Sequence, residues 1–177
     1  MAIFLRRLIG ALVLDPATYE EVESDRRAGM QAMIVVVLAC VSGGFAAMGQ
    51  GLVGPGGLVT GSIVALGAWL VWVSVITTVG TITLPEPQTR SNVRELLRTL
   101  SFATAPAVFL AFAAMPSAAP IVLTLVAVWM TAAAVMGVRQ ALDYRSTMRA
   151  VAVCGLGLLV AFGIMFAVWI VFSQDVS

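Results

Sequence analysis

The sequence predicts an all-α fold, a polytopic membrane bundle of five transmembrane helices preceded by a short amphipathic, cytoplasmic N-terminal helical segment. Three observations carry this prediction. Hydrophobic residues make up 60% of the chain and charged residues 11%, with a mean hydropathy of +1.02, a balance foreign to a soluble domain. Five apolar runs, at about residues 30–51, 61–84, 96–115, 121–141 and 150–172, can each cross a hydrocarbon core of about 30 Å at 1.5 Å per residue. The connections "LVGPGGLVT", "PEPQTRSNVRE", "PSAAP" and "LDYRSTMR" are short and rich in turn residues or charge, so consecutive helices form antiparallel hairpins. The chain divides into an N-terminal segment (1–29), the bundle (30–173) and a short outer tail (174–177).

The N-terminal segment comes first. In "MAIFLRRLIGALVL", Arg6 and Arg7 interrupt the apolar run and no small-residue cleavage site follows, which argues against a cleaved signal. Ile3, Phe4, Ile9, Leu12 and Val13 predict a helix lying in the membrane interface, its arginines reaching lipid phosphates. Asp15 and Pro16 then suit an N-cap and a first helical position. The second helix carries Tyr19 and Val22 on one side, and Glu23 and Arg27 stand at pairing distance. Its acids, Asp15, Glu20, Glu21, Glu23 and Asp25, would be repelled by an anionic membrane and attracted by arginine-bearing loops. The helix is therefore expected to fold under the bundle, Tyr19 and Val22 inward, with its acids facing Arg90, Arg94, Arg145 or Arg149; the alternative is a free helix that awaits a partner with a basic face.

Charge placement sets the topology of the five spans. All ten basic residues are arginine. They fall in the N-terminal segment or in and beside the second and fourth connections, as Arg90, Arg94, Arg98, Arg139, Arg145 and Arg149. By the positive-inside rule these regions share the cytoplasmic face of a bacterial inner membrane, with the N-terminus inside and the C-terminus outside. The six loop arginines are candidates for contact with anionic headgroups or a partner, Arg98 and Arg139 snorkelling from helix ends.

Within the spans, small residues recur every four positions: Ala39, Gly43 and Ala47; Gly57, Gly61 and Ala65; Ala103, Ala107 and Ala111. Gly157 with Ala161 and Gly163 with Ala167 add pairs in the last span. Such rows let helix backbones approach, within the chain or against a partner or second copy. Pro106 removes a hydrogen bond and predicts a kink in the third span, with the Phe102 carbonyl left free. Trp69, Trp72 and Trp129 fall near mid-membrane, where their N–H groups need acceptors such as Ser74, Thr77, Thr124 or Thr131. They either pack or line a cavity between the second and fourth spans.

The chemical inventory is poor. There is no histidine. Cys40 and Cys154 read as separate buried thiols, too far apart in depth to bridge and without partners for a metal. No nucleophile with a base, phosphate-cradling loop or carboxylate pair can be assembled, so no enzyme activity, cofactor or nucleic-acid partner is expected. No ionisable residue stands at mid-depth of a span, which disfavours coupled transport.

The preamble, the five spans, "LLRTLSFATAPAVFLAFAAMP" with its mid-helix proline, and "VWMTAAAVMGVRQALDYRSTMRAVAVC" together resemble the bacterial branch of the Yip1 family. The resemblance covers residues 30–172 and is best over 96–154. It implies a five-helix membrane protein. Eukaryotic members bind small GTPases through a cytoplasmic N-terminal region, but the "DLYGP" motif is missing here and only about 29 residues precede the first span, so that role does not carry over. The expected function is a non-catalytic interaction or accessory subunit, a scaffold in the membrane. The alternative is a passive conduit or lipid-handling protein with a cavity framed by Pro106 and the tryptophans.

Overall fold

A computed structural model of the chain describes residues 2–54, 56–83 and 93–174, side chains from Thr83 and beyond Gly163 excepted. The described residues form helices with no strand. In chain order these are α1 (Ala2–Leu12), α2 (Pro16–Ser24), α3 (Ala28–Gly49), α4 (Gly57–Thr78), α5 (Val93–Ala103), α6 (Ala119–Ala141) and α7 (Thr147–Gln174). A short π-helical turn, Val79–Thr83, extends α4, and a 3-10 helix, Ala105–Ala114, continues α5. Among the described residues four stretches are long and apolar enough to cross a membrane: Ala28–Gly49, Gly57–Ile82, Val93–Ala114 and Ala119–Ala141. The apolar part of α7 described with its side chains, Thr147–Gly163, is shorter, although the helical backbone runs on to Gln174.

In the bundle, α3 lies beside α4 and the 3-10 segment, α6 beside α5 and that segment, and α7 against α4 and α6. The first two small-residue rows face one another. A methyl group on Gly61 would stand 3.1 Å from the Gly44 Cα and 3.7 Å from the Ala47 Cβ, and one on Gly43 would stand 3.6 Å from the Ala65 Cβ. Gly157 gives Ile76 of α4 room in the same way, and Gly137 accommodates Thr99 and Ala103 of α5. These faces are spent inside the chain, where van der Waals contact holds helices together in lipid.

The third row behaves differently. Pro106 does not merely kink an α-helix: α5 ends at Ala103, and beyond Thr104 the chain winds with three residues per turn. Spacing by four then no longer keeps residues on one face. Ala103 and Ala107 are buried but Ala111 is exposed, while Thr104, Ala107 and Leu110, three apart, share a side.

Candidate functional site

Two regions hold the residues that sequence analysis singled out. The first is the junction between the N-terminal helices and the bundle. Asp15 caps α2 as expected, accepting from the backbone N–H groups of Ala17 (3.3 Å) and Thr18 (3.2 Å) and from the Thr18 hydroxyl (2.7 Å). Tyr19 and Val22 are fully buried, in one cluster with Ala28, Ala32 and Val35 of α3, Phe102 and Ala103 of α5, and Ala133 of α6. The docking expected for α2 is therefore present.

Two of its acids, Glu21 and Asp25, meet arginines of α1. Arg7 is only 4% exposed and bridges Asp25 at 2.6 Å and Glu21 at 2.9 Å, with a further bond to Gln31 of α3 at 3.0 Å. Arg6 also reaches Glu21, at 2.6 Å. Arg7 is thus withdrawn from lipid phosphates, while Arg6 stays largely exposed. Glu23 and Arg27 do not pair, because α2 ends at Ser24 and takes Arg27 off its face; the Arg27 backbone N–H instead donates to Asp25 at 2.9 Å. Glu23 stands among Asp143, Glu95 and Glu20. Desolvation first, then repulsion by those carboxylates, raises its pKa to about 7, against a smaller opposing pull from Arg98.

Of the loop arginines, Arg98 is committed to this junction, donating to the backbone carbonyls of Val22 (3.2 Å) and Glu23. Arg94, Arg139, Arg145 and Arg149 are exposed, and Arg90 lies outside the described residues. The exposed four leave α5, α6 and the start of α7 on one side of the bundle.

The second region is a cavity of about 490 Å³, open on one side, walled by α3, α4, the 3-10 segment, α6 and α7. Trp69 and Trp72 form its α4 wall, Thr104, Ala107 and Leu110 one column of the 3-10 helix, and Met130, Thr131 and Ala134 the α6 side. The spacing of three that only a 3-10 helix keeps on one face supplies that column. Cys40 and Cys154, both buried and free, line the same cavity from opposite helices. They remain unbridged, as expected, but share a surface the sequence did not suggest.

The three tryptophans separate. Trp129 does not line the cavity: its Nε1–H donates to the Leu12 carbonyl at 2.8 Å and its ring stacks on Phe109 at 5.5 Å, on the junction side. The Trp69 and Trp72 N–H groups find no acceptor among the described residues. The hydroxyls expected to serve them are satisfied within their own helices, Ser74 on Leu70, Thr77 on Val73, Thr124 on Pro120 and Thr131 on Ala127. That local bond uses the hydroxyl hydrogen and holds each oxygen against its own helix, and neither indole reaches one.

No group of histidine, cysteine or carboxylate side chains suited to a metal occurs among the described residues. A family model of the Yip1 domain matches residues 9–169. The chain therefore belongs to the Yip1 family, and the match takes in the cavity and the junction from residue 9 onward. No curated protein and no solved structure matches it.

Proposed function

We propose that this Yip1-family chain is a non-catalytic, lipid-handling protein of the bacterial cytoplasmic membrane, holding the apolar chain of a membrane lipid in its central cavity. The observation that carries this reading is the cavity itself. It holds about 490 Å³ and opens to the outside of the bundle, so that in a membrane an acyl chain can enter it. Its walls are alanine, glycine, leucine, methionine and tryptophan, with few polar atoms, so water is a poor filler. A hydrocarbon chain, which the surrounding bilayer supplies at high concentration, fits it. The accessory or scaffold role has less support, because the small-residue rows that would receive a partner face each other.

Five crossings with the N-terminus cytoplasmic and the C-terminus outside accord with the exposed arginines on one side and the length of the α7 backbone. Cysteine at Gly56 or Ser117 should react with an impermeant reagent from outside, and cysteine at Ser91 or Ser146 should not. For the cavity, the test is fluorescence of Trp69 and Trp72 in a Trp129→Phe/Trp169→Phe background, reconstituted in lipid brominated on the acyl chain. Strong quenching that disappears in Ala134→Phe supports occupancy. Equal quenching in both proteins would show that lipid stays outside.

A further inference from the structure

Sequence places α1 at the membrane surface, but its contacts place it deeper. The Leu12 carbonyl, at the end of α1, is bonded to Trp129 near the midpoint of α6. From Trp129 to Arg139, in the last turn of α6, is about 15 Å along the helix, half of a hydrocarbon core of about 30 Å. Tyr19 and Val22 of α2 lie against Phe102, Ala103 and Ala105, and Ala105 is midway along the apolar stretch Val93–Ala114. The other ends of the two helices stay at the arginine-rich side, where Arg7 meets Gln31 in the second turn of α3 and Arg98 holds the carbonyls of Val22 and Glu23.

The surface of α1 agrees with this depth. One side, Phe4, Leu8 and Leu12, packs against the buried cluster. The other presents Leu5, Ile9 and Val13, at spacing four, and Ile9 and Val13 are 58% and 69% exposed. Apart from Arg6, exposed toward the shallow end, the helix is apolar on both sides, which matches it to hydrocarbon. Its two arginines are neutralised by Glu21 and Asp25 at the shallow end. At the tip, Asp15 has three donors on its carboxylate, the kind of satisfaction an ionisable group needs within lipid.

We propose that α1 and α2 form a re-entrant hairpin embedded in the arginine-side leaflet alone, with the Leu5, Ile9 and Val13 face against its acyl chains. Crossing helices add equal area to both leaflets. The hairpin adds two helix cross-sections, each about 10–12 Å wide, to one leaflet only. It is a wedge, and the protein should prefer membrane in which that leaflet is expanded.

The test uses the full chain in a Cys40→Ala/Cys154→Ala background, with a fluorescent label on Val13→Cys, Glu20→Cys or Arg26→Cys, in vesicles of acyl-brominated lipid. Quenching should fall in the order Val13, Glu20, Arg26 and should match, at Val13, a label on Val128→Cys of α6. A Val13 label reached by aqueous iodide as readily as one on Met148→Cys would overturn the insertion. For the wedge, protein reconstituted with the arginine side outward should favour small over large vesicles by about twofold, since insertion of this kind is curvature-sensitive. An Ile9→Asn/Val13→Asn variant, altered only on the lipid face, should lose that preference. An even distribution of the unaltered protein would overturn the wedge.

Discussion

The junction and the cavity are built from similar residues to opposite ends. At the junction, Arg7, Tyr19, Arg98 and Trp129 each have a partner: two carboxylates and an amide for Arg7, and backbone carbonyls for the rest. At the cavity, two indole N–H groups have none among the described residues, and space is left beside them. A buried polar group that is satisfied fixes one arrangement, whereas one left unmade costs about 1–3 kcal/mol. The contrast teaches that the N-terminal helices are tied to the bundle by satisfied polar groups, while the cavity is lined by side chains that leave room beside two unmade hydrogen bonds.

The sharpest way to break this comparison is to unmake the junction. Arg7→Ala should lower stability by about 3 kcal/mol, the lower end for a buried pair that loses one partner, because Glu21 and Asp25 keep about a third of their surface in contact with solvent. Thermal unfolding in mild detergent reads it, and a fall smaller than that of Arg139→Ala would mean the clamp is decorative.

A smaller effect compares the tryptophans directly. Trp129→Phe loses the bond to Leu12, whereas Trp72→Phe loses an N–H without an acceptor. The loss of ring volume is common to both, so Trp129→Phe should be the more destabilising by about 1 kcal/mol. Equal effects would erase the distinction between the two regions.

The smallest effect is the pH dependence at Glu23. Its pKa rises from an ordinary 4.5 to about 7 in the folded protein, so in that window the folded chain holds a proton that the unfolded chain has released. Stability must then fall as pH rises through the window and level off above it. Glu23→Gln should flatten that slope, and an unchanged slope would assign it to another group.

Much of this architecture was legible in the chain. Hydropathy located the four stretches that are long and apolar enough to cross a membrane among the described residues, and their helices begin a few residues ahead of the apolar runs. The Asp15–Pro16 start of α2 and the inward side of Tyr19 and Val22 were legible because caps and faces are local properties. The partners of Arg6 and Arg7 were not, since a charge tally shows which side is basic but not which basic group is nearest in space. Nor was the change of helix type at Pro106: proline announces a lost hydrogen bond, while the 3-10 winding that follows depends on how Thr104 to Ala114 pack. The cavity depends on that winding and on the sizes of side chains from five elements, so no single stretch encodes it. Arg98 binding backbone carbonyls leaves no sequence pattern at all.

The central claim, that the cavity is occupied by the chain of a lipid, is tested most directly by native mass spectrometry of protein released from mild detergent. The account predicts one retained lipid per chain for the unaltered protein and loss of that mass in Ala134→Phe, with the Arg149→Ala protein keeping it. A bare polypeptide mass for the unaltered protein, or a lipid retained equally by Ala134→Phe, would contradict it.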